Sequence, residues 1–257
     1  MLFDLLANAY AAVFGLAIGS YLNVVIHRLP RGLSTIAPRS RCPVCRSAIR
    51  HRDNVPVLSY LLLGGRCRCC WVPISPRYAL VEALTAVLFV GCLQAFGISL
   101  GAMVAMLFVS LLVALAGIDL DHYILPDRLT LPGIAVGLLL QPWAPWTDFA
   151  GALIGTLAGG GVLLAVWGLW YLLRREEGMG LGDVKMLAMV GAFLGWKGMA
   201  VTFLVATAAG ALIGVALIVS GRSGRRAKLP FGVFLSLGAL VGLFWGPPLV
   251  DAYLELL

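Results

Sequence analysis

Eight apolar runs, at about 5–26, 79–96, 100–118, 129–143, 149–173, 186–195, 199–220 and 231–252, divide this chain of 257 residues. A membrane-spanning helix needs roughly 20 consecutive apolar residues, so repeated runs near this length restrict the fold more than any other feature. The chain is 61% hydrophobic and 12% charged, whereas soluble domains run about 45–50% apolar and about 25% charged. So few charges cannot cover a water-soluble globule, and the hydrophobicity excludes disorder. The first run lacks a basic lead-in and a cleavage site followed by a polar mature domain, so it reads as a first span rather than a removed signal peptide. The expected fold class is all-α, a polytopic membrane helix bundle of about eight transmembrane helices.

Eight spans make the loops alternate between two sides, and the basic residues test that alternation. The polar stretch 27–77 carries ten arginines and a single acid, Asp53. The same side receives Arg128, Arg174, Arg175, Lys185, Arg222, Arg225, Arg226 and Lys228, which makes 18 of the 19 basic residues. Only Lys197 falls on the other side. Cytoplasmic loops carry the excess of Lys and Arg, so the long loop is expected in the cytosol and both termini outside. This gives a division into a first transmembrane helix (1–26), a cytosolic loop (27–78) and a transmembrane bundle (79–257). The net charge of +7 is thereby read as topology; no aromatic platform is interleaved with the arginines, and nucleic acid is not an expected partner.

The cytosolic loop holds five of the six cysteines. Cys42-Pro-Val-Cys45 and Cys67-Arg-Cys-Cys70 form two C-x2-C pairs, the spacing by which two knuckles offer four thiolates to one tetrahedral ion. Disulfides are disfavoured in the cytosol. The expectation is a zinc-ribbon-like loop with structural Zn2+ on Cys42, Cys45, Cys67 and Cys70; Cys69 could replace a neighbour. A closed four-sulfur site has no open position for water, so the metal's role is structural. Cys92 lies in an apolar run and reads as packing. Glycines at four-residue spacing (Gly151, Gly155, Gly159; Gly191, Gly195; Gly210, Gly214; Gly238, Gly242) read as close helix crossings.

Four acids stand where spans end: Asp119, Asp121, Asp127 and Asp183. By the topology above they share the cytosolic border, a depth at which a carboxylate is a functional candidate. Two carboxylates from different helices that share a proton can divide the work of acid and base and activate water against an amide. Asp119 and Asp121 point to different helix faces. Asp119 is nearer the apolar segment and better shielded, which favours it as partner of Asp183; Asp127 has a competing plain role as helix N-cap. The glycines of Gly178-Met-Gly-Leu-Gly-Asp183 would allow unusual dihedrals and the close approach of a substrate backbone. An ion-coupled transporter would also need membrane-border acids, and a zinc-stabilised assembly protein would tolerate their loss.

At these residues the sequence resembles the bacterial type IV prepilin peptidases, polytopic aspartyl proteases with a Gly-x-Gly-Asp motif. Gly180-Leu-Gly-Asp183 matches that motif, and Asp119 before Ile124-Leu-Pro-Asp-Arg-Leu-Thr130 matches the family's first active aspartate. Cys42-Pro-Val-Cys45, Asp53-Asn-Val-Pro56-Val-Leu-Ser59, Cys67-x2-Cys70, Ile74-Ser-Pro-Arg-Tyr78, Glu82 and Leu229-Pro-Phe-Gly232 follow in the family's order. The resemblance implies catalytic Asp119 and Asp183, and removal of a basic leader from prepilins or pseudopilins at the cytosolic face of the bacterial inner membrane. It further implies methylation of the new amino terminus from S-adenosylmethionine. No Gly-rich nucleotide fingerprint accompanies that second activity, so its residues are not readable. Glu82 is a candidate for binding the amine, or for an ion pair with Arg77. Ala79 stands where the family usually has proline.

Overall fold

The computed structural model describes residues 2–175, 180–220 and 229–255. Gly178 and the basic residues Arg222, Arg225, Arg226 and Lys228 lie outside them. The described residues form helices α1 (Leu2–Arg28), α2 (Leu58–Leu62), α3 (Pro76–Phe96), α4 (Leu100–His122), α5 (Asp127–Leu139), α6 (Phe149–Arg174), α7 (Leu181–Val219) and α8 (Phe231–Leu254). Strand pairing among them is limited to two isolated bridges. Six helices, α1, α3, α4, α6, α7 and α8, are long and apolar enough to cross a membrane. The eight apolar runs map onto them with two qualifications. α5 has 13 residues, about 20 Å of helix, and α7 holds two runs joined across a break at Gly195. The chain divides into two compact units, Met1–Ala114 and Leu115–Leu257.

In the first unit α1 packs along α3. Two small residues one turn apart set the distance: a Cβ at Gly15 would lie 2.6 Å from Ala86 Cα, and one at Gly19 would lie 2.7 Å from Glu82 Cα. Such contacts replace the hydrophobic drive that lipid does not supply between helices. Between these helices the polar loop folds as two similar turns. Cys42 N–H donates to Ser47 O and Arg46 N–H to Cys42 O; Cys67 N–H donates to Val72 O and Trp71 N–H to Cys67 O. Each turn ends in a left-handed residue, Arg46 (φ 57°) or Trp71 (φ 58°), and is closed by a bridge, Arg41 to Ala48 or Arg66 to Pro73.

In the second unit α5, α6 and α8 all pack on α7. Gly155 and Gly159 of α6 and Gly238 and Gly242 of α8 are close crossings, as their spacing predicts, whereas a Cβ at Gly151 would instead meet the Asp148 and Thr147 side chains at 2.7 Å. A Cβ at Gly155 would stand 2.6 Å from the Gly195 carbonyl carbon, one at Gly159 2.7 Å from Leu187 O, and one at Gly242 2.6 Å from Gly198 O. Gly210 and Gly214 differ: an added Cβ there meets only side chains at 3.6 Å and 3.5 Å, ordinary contact. Spacing alone does not distinguish a helix crossing from a face with room to spare.

Gly195 interrupts α7 with φ 70°, a left-handed conformation that glycine adopts without steric penalty. The break frees carbonyls that a membrane cannot hydrate. Gln141 Nε2 donates to Ala192 O at 2.6 Å and Trp146 Nε1 to Phe193 O at 2.7 Å, so the segment after α5 caps the first half of α7. Gln141→Leu keeps the volume and removes one donor. Thermal unfolding of the variant in detergent is expected to show a loss of about 1 kcal/mol; an unchanged midpoint would mean that the break holds itself.

Two ion pairs fix which helix ends share a side of this unit. Lys185 Nζ meets Asp127 Oδ1 at 2.6 Å, and Lys197 pairs with Asp251. The first joins the starts of α5 and α7, and the second joins the Gly195 break to the end of α8. That is the alternation of loops expected from the charge count.

Candidate active site

Asp119 lies one turn before the end of α4 and is 5% exposed. Its carboxylate is directed at the backbone N–H groups of Gly232 and Val233 in the first turn of α8, the positive end of that helix. Its Oδ2 atom is buried and has no hydrogen-bond partner among the described residues. Asp183 sits in the first turn of α7, half-buried, and is close enough to Asp119 for their charges to interact. The loop Ile124-Leu-Pro-Asp127 crosses the same place. A Cβ at Gly182 would lie 2.9 Å from Leu125 Cβ, and one at Gly232 would lie 2.9 Å from both Asp119 Oδ2 and Leu125 Cδ2. Leu125, 8% exposed, is thus wedged between the two helix starts, and only glycine leaves it room.

Asp121 is exposed, so the choice of Asp119 over Asp121 agrees with the burial. Asp127 is not the N-cap expected from the sequence. Pro126 occupies that position, while Asp127 is the first residue of α5 and pairs with Lys185. The expected role of the glycines before Asp183 is also revised. Gly180 is extended (φ −77°, ψ 142°) and Gly182 is helical, so neither uses a conformation reserved for glycine. Gly182 gives Leu125 room, and a Cβ at Gly180 would meet nothing nearer than 3.8 Å among the described residues, beside the Asp183 carboxylate. Gly232 and Leu125 are site residues whose role the sequence did not reveal; the Leu229-Pro-Phe-Gly232 motif was the available signal. In Gly232→Val the branched side chain must displace the Asp119 carboxylate. The expected result is a folded bundle with turnover lowered at least about 100-fold; turnover near the wild-type rate would show that the contact is not needed.

In the first unit the thiols of Cys42, Cys45, Cys67 and Cys70 all lie within 4.8 Å of one another and can hold a metal ion. Cys42 Sγ and Cys70 Sγ are 3.7 Å apart, and four sulfurs at the Zn–S distance of about 2.3 Å are separated by about 3.8 Å. Hydrogen bonding by Ser47, first through its hydroxyl at 3.0 Å, brings the Cys45 thiol down to about 6. The backbone N–H groups of Cys70 and Cys69 lower Cys67 as well, whereas burial and the neighbouring thiols push Cys70 up to about 12. Thiolates are the form a metal requires. Cys69 is exposed and outside the group of four. Cys92 is fully buried in α3, as packing requires.

The segment between the knuckles is tied down residue by residue. Arg68 binds Asp53 with both carboxylate oxygens, Nη2 to Oδ1 at 2.7 Å and Nε to Oδ2 at 3.1 Å, which holds the Asp53 carboxyl below its usual range. That pair is complete above about pH 4 and is lost as the pH falls through the lowered value. Ser59 Oγ accepts from Val55 N–H and donates to Arg52 O. Glu82 of α3 accepts the Val57 N–H at 2.7 Å and hydrogen-bonds Ser20; neither partner is Arg77, so the ion pair expected from the sequence is replaced.

Residues 13–96 match the Bacterial Peptidase A24 N-terminal domain, and residues 106–215 match the Type IV leader peptidase family. Proteins named prepilin leader peptidase/N-methyltransferase are similar over most of the length. One from Burkholderia pseudomallei (strain 1026b) is 41% identical, covering 93% of this chain and 86% of its own. One from Aeromonas hydrophila is 40% identical, covering 94% and 92%. A third, from Myxococcus xanthus (strain DK1622), is 42% identical, covering 88% and 68%. No solved structure matched.

Proposed function

The chain belongs to the prepilin leader peptidase/N-methyltransferase family, and from that premise we propose that it removes the basic leader of type IV prepilins or pseudopilins and methylates the new amino terminus. The observation that carries the peptidase half is the juxtaposition of buried Asp119 with Asp183 where α7 and α8 begin. Two carboxylates so close do not both ionise easily. One, as base, takes a proton from water as the water attacks the scissile carbonyl; the other, as acid, protonates the leaving amine. The N–H groups at the helix starts favour the negative charge that passes between them. Gly180, which carries no side chain beside Asp183, would let a substrate backbone approach that carboxylate.

The charge asymmetry supports an inner-membrane orientation with the termini periplasmic and the Cys loop and both aspartates on the cytosolic side. There a substrate's basic leader would be presented while its apolar helix lay in lipid beside the bundle. The four thiols fit a structural Zn2+, held by Cys42, Cys45, Cys67 and Cys70. S-adenosylmethionine would supply the methyl group. Ion-coupled transport has no observation in its favour.

The test is mass spectrometry of a prepilin incubated with the purified protein in lipid, with and without S-adenosylmethionine. Loss of the leader, followed by a methyl-sized gain with the donor, is expected. Intact prepilin after incubation with folded protein, across several pilins, would sink the peptidase reading. Cutting with no gain would sink the methyltransferase half alone.

A further inference from the structure

The second activity rests on the family reading above, and the dyad supplies it with no residues. A cavity of about 1470 Å³ in the first unit offers a place for it, bounded by α1, α3 and the Cys loop. Small-molecule sites commonly enclose about 300–1,000 Å³, so this half-open space is large enough for a nucleoside-sized donor together with a peptide terminus. Two acids line it, Asp53 and Glu82. Asp53 is neutralised by Arg68. Glu82, in the second turn of α3 and 8% exposed, has the neutral partners Val57 N–H and Ser20. A shielded carboxylate whose hydrogen-bond donors among the described residues are neutral is costly until a cation joins it.

The backbone around Glu82 is itself unusual. Val57 has φ 59°, a conformation that β-branched residues avoid and that persists where the surroundings impose it, often at functional sites. Glu82 holds that residue by its N–H and so fixes the Asp53–Ser59 segment as one wall of the cavity. Arg39, Arg41, Arg46 and Arg50 line the same space, and guanidinium groups are the partners an α-carboxylate takes.

We propose that this cavity is the methyl-transfer site, with Glu82 as the catalytic residue that receives the new terminal amine and takes its proton. The ammonium of the cut pilin gives one proton to the Glu82 carboxylate. The freed lone pair forms the N–C bond to the donor's methyl as the C–S bond breaks, and that electron pair stays on sulfur. S-adenosylhomocysteine and a methylated ammonium leave, and Glu82 releases its proton to water.

Glu82→Gln is the discriminating variant, because a Gln amide oxygen still accepts the Val57 N–H but carries no charge and takes no proton. With cut pilin and S-adenosylmethionine, methylation is expected to fall at least about 100-fold, with leader removal and the melting temperature unchanged. Wild-type methylation by the variant overturns the inference, and so does a parallel loss of cutting and stability, which marks a structural strut. Ultraviolet crosslinking of radiolabelled S-adenosylmethionine gives a readout independent of turnover. Label is expected in peptides from residues 20–82 in both proteins, and label confined to residues 115–257 overturns the location. A wild-type protein that cuts but never methylates refutes the family reading of this activity rather than the assignment of Glu82.

Discussion

Asp183→Asn and Asp119→Asn are each expected to reduce leader removal about 10⁴-fold, the upper end of what a positioned acid–base group contributes, and Asp121→Asn is expected to cut at close to the wild-type rate. Asn keeps the shape of Asp and cannot exchange a proton at neutral pH, so these substitutions separate chemistry from folding. Asp119 is buried against the start of α8 whereas Asp121, two residues on, is exposed. The check is the cleavage rate of a prepilin in lipid, beside a melting curve for each variant. Cutting by Asp119→Asn together with loss of cutting in Asp121→Asn would assign the acid to the wrong face of α4. Loss in all three with a lowered melting temperature would show a structural role.

Loss of the proposed zinc is expected to have the second large effect. Cys42→Ser, or a strong chelator, is expected to strip zinc from the protein and unfold the loop, because a structural site of four thiolates carries about 10–16 kcal/mol of apparent binding energy in small zinc modules. The two turns bring little core of their own: among the four ligands only Cys42 is buried. Elemental analysis reads the metal directly. Limited trypsin digestion reads the loop, since the ten arginines between positions 27 and 77 become accessible when it opens. Cys69→Ser is expected to change neither readout, given that Cys69 lies outside the group of four. Retention of zinc by Cys42→Ser, or loss of it in Cys69→Ser, would contradict the ligand set.

Several features were legible in the sequence because the signals behind them are local. Hydrophobic length needs no partner to be recognised, and the runs placed the helices; the gap between the sixth and seventh runs fell at the Gly195 break. The two C-x2-C pairs carry their own turns, so the four thiols could be named before any packing was known. The charge count predicted which loops share a side, and the Lys185–Asp127 and Lys197–Asp251 pairs agree with it. Within 27–78 and the Gly180–Asp183 motif, spacing and residue type already suggested the chemistry.

Tertiary structure decided what local pattern left open. It put Asp119 rather than Asp121 beside Asp183, brought the start of α8 over that carboxylate, and wedged Leu125 between Gly182 and Gly232. It gave Asp127 to Lys185 and Glu82 to Val57 and Ser20, and it showed Gly210 and Gly214 to be uncrowded where an identical spacing elsewhere marks a crossing. Each of these depends on which faces of separate helices meet, often between residues far apart in the chain, as with Asp119 and Gly232. A hydrophobic run specifies that a helix crosses the membrane; only packing against its neighbours fixes the rotation about its axis, and that rotation decides which acid faces another and which faces water.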